Sequence, residues 1–354
     1  MTDPKGFQIP SLDGFRTVSF LIVFLAHAGL NAIIPGPFGV TVFFFLSGYL
    51  ITTLLRREQE KTGGISFSRF YLRRVLRILP PFYLVIGLVY VCIALSLLPP
   101  PTEPAAVRAL LLHYANYYIV EHDHHGLPLG TGVYWSLAVE EHFYFLFPAI
   151  YFALCKWTSS RSKQSAVLLG LCGLVLAWRC YLVLVAHVPN YQRTGMGSDT
   201  RFDSILFGCV LALTENPALD RSVLSERVWK RWLFPLGLGG LLVGFGYRND
   251  VFRETFRYTL QGLSLIPLFV CAVRYPQWWP IRPLNFRPVA YLGTLSYSLY
   301  LVHQVVQSVI LRQLSELHGF AQGVLALLLS FAVSWTIFQL VEKPCAQLRR
   351  RLQV

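Results

Sequence analysis

The stretch Arg16-TVSFLIVFLA-His27 sets two ionisable residues at the ends of ten that carry no charge. Eleven steps of ~100° make roughly 1100°, three turns plus about 20°, so a helix places both side chains on one face, ~16 Å apart along its axis. An arginine at a membrane border then looks up one stripe at a histidine near mid-bilayer. Ionisable groups at that depth are costly, face a bundle interior or a water-filled cavity, and mark a functional site by default. The plainer reading is a hydrogen bond from His27 to a neighbouring helix.

Working outward, the 354 residues are 54% hydrophobic and only 14% charged, with a mean hydropathy of +0.49. That is too apolar for an ordinary soluble domain and reads as an integral membrane protein. The net charge of +13 sits in short loops between apolar runs, where it orients the chain, so nucleic acid is not an expected partner. Seven cysteines are scattered without a CxxC pair and form neither a disulfide framework nor a zinc motif. The segment before the first apolar run carries Asp3 and Asp13 beside Lys5 and Arg16. This is a poor signal-peptide n-region, so the first span is expected to be retained.

Apolar runs at about 15–34, 38–55, 78–98, 134–155, 166–186, 202–215, 233–247, 255–273, 289–311 and 320–341 predict an all-α bundle of about ten transmembrane helices. The sixth and seventh are short for a bilayer, which predicts tilt or partial burial. Lys and Arg gather in every second loop, from Arg56–Arg77 through Lys156–Lys163, Arg221–Arg231 and Arg274–Arg287 to the tail at Lys343–Arg351. Cytoplasmic N- and C-termini satisfy that alternation. No inverted repeat is visible, and one membrane domain over 1–354 accounts for the chain. In the longest outer loop, 104–121 is expected to form a short amphipathic helix.

Several segments carry chemistry. Arg69-FYL-Arg73-Arg74-VL-Arg77 gathers guanidiniums at the start of the third span. Such a cluster suits bidentate phosphate binding at a helix N-terminus, or plain topology anchoring and contact with anionic lipid heads. On the opposite face, Trp135-Ser136-Leu137-Ala138-Val139-Glu140-Glu141 starts the fourth span. Two carboxylates entering an apolar helix are paired or used, and one of them can orient a histidine or handle a proton. Arg201-Phe202-Asp203 opens the sixth span, where a salt bridge is the simple reading. Ser296, Tyr300 and His303 share a face of the ninth, with helix–helix hydrogen bonding as their expected use. The outer-loop set His113, His122, Asp123, His124 and His125 matches no standard metal spacing, so no metal is expected.

Together these segments resemble the acyltransferase-3 family of integral-membrane O-acyltransferases. The resemblance rests on Leu12-Asp13-Gly14 with Arg16 and His27, Ser47-Gly48-Tyr49-Leu50-Ile51, Arg69 through Pro80, and Trp135-Ser136-Leu137 with Glu140-Glu141 and Phe143-Tyr144. It continues through Arg201 and Asp203, Ser296-Tyr297 to His303, and Glu342-Lys343-Pro344. The ordered set spans nearly the whole chain, and Arg16 with His27 is its hallmark. Phe15-Arg16-Thr17 departs from the commoner Leu-Arg-Gly but keeps both charged positions. Many relatives append an esterase-like domain. This sequence stops at Val354, so a second transfer step would need another protein.

The resemblance implies a multi-pass protein of the plasma (inner) membrane. It would move an acyl group, most often acetyl, from cytoplasmic acyl-CoA to a hydroxyl of an extracytoplasmic carbohydrate or glycoside, with glycan-assembly proteins as partners. Arg73, Arg74 and Arg77, with Arg69, would dock the CoA pyrophosphate. His27 would act either as general base toward the acceptor hydroxyl or as a transient acyl carrier. Glu140 or Glu141 would orient it or the acceptor, and Arg16 would bind the donor or steady the thioester oxyanion. Asp13, Trp135, Ser136, Arg201, Asp203, Ser296, Tyr300 and His303 would support substrate or structure. A membrane transporter is the rival reading. The cytoplasmic arginine cluster and the missing inverted repeat stand against it.

Overall fold

The computed structural model describes residues 9–188 and 191–351, and among these every regular element is helical. Helix α1 (Leu12–Leu25) runs into a π-turn over Ala26–Leu30. Pro35 and Pro37 then start α2 (Gly36–Thr62), which Gly63 ends in the left-handed conformation. Ser66 caps α3 (Phe67–Ala94). The loop that follows α3 holds α4 (Pro104–Leu111) and α5 (Ala115–His122). The single helix expected over 104–121 is therefore two, broken where His113 takes a positive φ of 56°.

Helix α6 (Trp135–Trp157) is followed by α7 (Arg161–Leu184), capped by Ser160. The short α8 (Tyr191–Met196) leads into α9 (Ser198–Thr214). One turn, α10 (Glu226–Val228), joins through a π-turn to α11 (Phe234–Gly246), and α12 (Asp250–Glu254) precedes α13 (Phe256–Arg274). Last come α14 (Arg287–Thr294), α15 (Ser296–Gln313), α16 (Gly319–Ile337) and α17 (Lys343–Arg351).

Each of the ten expected apolar runs overlaps a helix. Among the described residues, seven helical segments, built on α1, α2, α3, α6, α7, α13 and α16, are long and apolar enough to cross a membrane. The others, α9, α11 and α15, fall short in length or apolarity. Their position explains the shortfall for two of them. Helix α9 is wrapped on nearly all sides and buries Arg201, Asp203 and Ser204, and α15 buries Ser296, Ser298, His303 and Gln307. A helix enclosed by other helices can carry polar groups that lipid would not tolerate.

The bundle is built around α2 and α9, which pack more extensively than any other pair. Their crossing depends on two glycines. A Cβ on Gly48 would lie 1.9 Å from the Ile205 carbonyl oxygen, and one on Gly208 would lie 2.0 Å from that of Phe45. Small residues let two backbones touch in this way. Around this pair, α3, α7 and α16 form the periphery and turn most of their apolar surface outward, as lipid-facing helices do.

Candidate active site

Ten residues into α3, Arg77 lies ~15 Å from the helix start, and Glu140, five residues into α6, lies ~8 Å from its own. Taken as entering from opposite faces, the two helices bring these side chains toward one level of a ~30 Å hydrocarbon core. They do meet. Arg16 from α1, Arg74 and Arg77 from α3, and Glu140 and Glu141 from α6 line one cavity. The arginine cluster and the acidic pair, expected at opposite ends of a route across the membrane, share a single chamber.

Within it the charges are unevenly satisfied. Arg16 Nη1 donates to Asp13 Oδ1 at 2.9 Å. Glu140 accepts from Ser47 Oγ at 2.5 Å, and Ser47 accepts from the Tyr144 hydroxyl at 3.1 Å. Arg74, only 9% exposed, makes no hydrogen bond among the described residues, and its Nε is sealed from solvent without a partner. It lies against the rings of Phe70 and Tyr144, at 5.6 and 5.5 Å. Glu141 faces the same space, also without a hydrogen bond among the described residues. A buried guanidinium in this state can receive an anion such as a phosphate.

The expected donor set divides. Arg74 and Arg77 enter the chamber, whereas Arg73 turns to Glu58 at 2.8 Å and Arg69 stays exposed at the helix start. Ser136, Ser296 and Tyr300 also line the chamber, and Ser136 Oγ and the Tyr300 hydroxyl are 2.6 Å apart. Ser47, Tyr144 and Tyr297 line it too, though sequence reasoning gave none of them a role. Tyr144 was within reach, since it lies one turn after Glu140. The Ser47 contact was not, because 93 residues separate it from Glu140.

His27 does not line the chamber. The helical segment ends at Leu30 and places His27 in its last turn, exposed. There His27 Nδ1 meets His303 Nε2 at 3.2 Å. His303 contacts the ring of Tyr300, at 5.6 Å between centroids. Since Tyr300 lines the cavity, the two histidines stand behind its wall.

Arg201 and Asp203 are fully buried, but they do not pair with each other as expected. Arg201 donates to the Gly195 carbonyl and to Thr41 Oγ1, both at 2.9 Å, and lies 3.8 Å over the Tyr258 ring. Trp135 stands edge-on to Phe44 beside it. Asp203 binds Arg179 of α7 at 2.7 Å and Thr259 at 3.0 Å. Both residues lie outside the chamber.

Comparison with known proteins gives this geometry its context. The chain is 27% identical over 351 residues to the peptidoglycan O-acetyltransferase OatA of Listeria monocytogenes, covering 95% of this chain and 55% of that protein. It is 32% identical over 315 residues to the putative peptidoglycan O-acetyltransferase YrhL of Bacillus subtilis, covering 84% and 48%. Against a putative O-acetyltransferase of Staphylococcus aureus strain COL the figures are 29% over 334 residues, 87% and 53%. The chain thus spans about half the length of these curated relatives. No solved structure matches it. Residues 9–339 match the acyltransferase-3 family model, described as an acyltransferase domain, and the chain belongs to that family.

Proposed function

We propose that this chain is a membrane O-acyltransferase, acetyl being the default group, that draws on cytoplasmic acyl-CoA and delivers to a hydroxyl of an extracytoplasmic glycan. The observation that carries the reading is Arg74, buried in the chamber without a hydrogen-bond partner among the described residues, beside Arg16 and Arg77. That trio would hold the CoA pyrophosphate, because a buried guanidinium with open donors gains charge-assisted hydrogen bonds when an anion arrives. CoA supplies the activated thioester, and the rest is the chain's own work. His27, exposed at the other end of α1, would take the proton of the acceptor hydroxyl as its oxygen attacks the thioester carbon. The carbon–sulfur bond breaks, and the departing thiolate is protonated in turn. The names of the relatives favour peptidoglycan as the glycan. The alternation of basic loops supports ten crossings with both termini cytoplasmic, and the family supports a place in the plasma membrane.

The test is transfer of labelled acetyl from CoA to peptidoglycan fragments by protein reconstituted in vesicles. Wild type transfers label, and His27→Ala lowers the rate about 10²- to 10⁴-fold, as loss of a general base does. Full transfer by His27→Ala would remove that role from His27. Solute flux with no acyl transfer by wild type would turn the assignment toward a transporter.

A further inference from the structure

We infer that His303 is a positioning residue that fixes the tautomer of His27 and aims its Nε2 lone pair at the reaction; this rests on the role proposed above for His27. His303 Nδ1 lies 2.8 Å from the Tyr300 backbone carbonyl oxygen. A carbonyl only accepts, so His303 carries its proton on Nδ1. His303 is 0% exposed, with Phe20, Phe24 and Tyr300 as ring neighbours at centroid distances of 5.8, 6.4 and 5.6 Å. A second proton would put an uncompensated charge in that aromatic box, so the ring is neutral and its Nε2 is an acceptor. His27 Nδ1, 3.2 Å from that Nε2, must then be the donor. The proton of His27 is thereby held on Nδ1, and Nε2 is left as the base.

Local structure supports this assignment. His27 sits in the π-turn over Ala26–Leu30, which Gly29 closes at φ 97°. The left-handed Gly29 ends the helix, and that end is where the histidine meets α15. When His27 Nε2 takes a proton, its Nδ1–H donates more strongly to His303, and the His303 Nδ1–H polarises against Tyr300. No second proton has to move, and the positive charge spreads along a chain of dipoles.

The test compares replacements at 303 with one another and with His27→Ala. His303→Gln keeps an acceptor oxygen near the position of Nε2, His303→Asn keeps only a group near Nδ1, and His303→Leu keeps neither. Acetyl transfer should survive in His303→Gln. In His303→Asn and His303→Leu, kcat should fall about 10- to 100-fold, the range that partners orienting a working histidine command, with KM for acetyl-CoA unchanged. In the His27→Ala background His303→Leu should cost nothing further, because the residue would act only through His27. Detergent-solubilised variants that elute as wild type on gel filtration separate loss of rate from loss of fold. Wild-type kcat in His303→Leu, or an equal further loss in the His27→Ala background, overturns the inference. Full activity in His27→Ala would instead overturn the function assigned to His27.

Discussion

Two buried arginines in this bundle meet opposite fates. Arg179 of α7 is 0% exposed and donates to the Thr255 carbonyl at 3.0 Å, the Thr200 carbonyl at 2.6 Å, Thr259 Oγ1 at 2.6 Å and Asp203 Oδ2 at 2.7 Å. Arg74 of α3 is 9% exposed and has none of this, although it too lies deep among helices. Burial alone therefore does not separate a structural charge from a functional one. The completeness of the hydrogen-bond shell does. Arg179 is finished by the protein itself, tying α7 to α9 and α13. Arg74 is left for a ligand to finish, and it lines a cavity together with Arg16 and Arg77.

The difference predicts opposite responses to one substitution. Arg179→Met strands Asp203 as a buried charge and should destabilise the fold by about 3–5 kcal/mol, the cost of breaking a buried pair from one side. Thermal unfolding in detergent, or loss of monodisperse protein, would register it. Arg74→Met removes a charge that no hydrogen bond among the described residues satisfies and that is offset only across the chamber by Glu140 and Glu141, so it should cost far less stability than Arg179→Met. Its effect should appear in function, as a KM for acetyl-CoA raised about 10- to 100-fold, or roughly 1.4–2.8 kcal/mol of binding. If Arg74→Met unfolded the protein while Arg179→Met did not, the comparison would be reversed and the chamber would lose its claim to the donor.

The sequence made some of this visible and hid the rest for definable reasons. The helices were legible because a bilayer demands long apolar runs, and Arg16 with His27 because helical periodicity is simple arithmetic. That arithmetic stops at His27 and is silent on Ala28 and Gly29, whose non-helical dihedrals end the segment. The shortness of α9 was legible, together with its partial burial. What Arg201 and Asp203 bind was not, because their partners are set by tertiary packing. Arg179 lies inside an apolar run, 24 residues from Asp203, with no local pattern to mark it. The partner of His27 was hidden likewise, 276 residues away on α15.

A third arginine supplies an intermediate case. Arg56, near the end of α2, donates bidentately to Asp220 and also to Glu60 at 2.9 Å and the Ala212 carbonyl at 3.0 Å. Its shell is complete like that of Arg179, but its partner is partly wet, the Asp220 side chain being 21% exposed. Burial pushes the Asp220 carboxyl up. The hydrogen bonds and charge of Arg56, with the Asn216 N–H and Arg161, outweigh this and hold it below the usual range. A carboxyl lowered by folding stabilises the fold above its unfolded value of about 3.9, and that contribution fades as pH falls through the lower folded value. Asp220→Asn should therefore cost only roughly 1 kcal/mol at pH 7, because Glu60 still faces Arg56 and solvent screens the site. The gap from wild type should narrow as the solution is acidified below about pH 4. Thermal unfolding of both proteins across that range decides it. A gap that stays constant with pH would mean Asp220 acts by shape rather than charge, and a loss as large as that of Arg179→Met would mean solvent exposure does not soften a completed arginine shell.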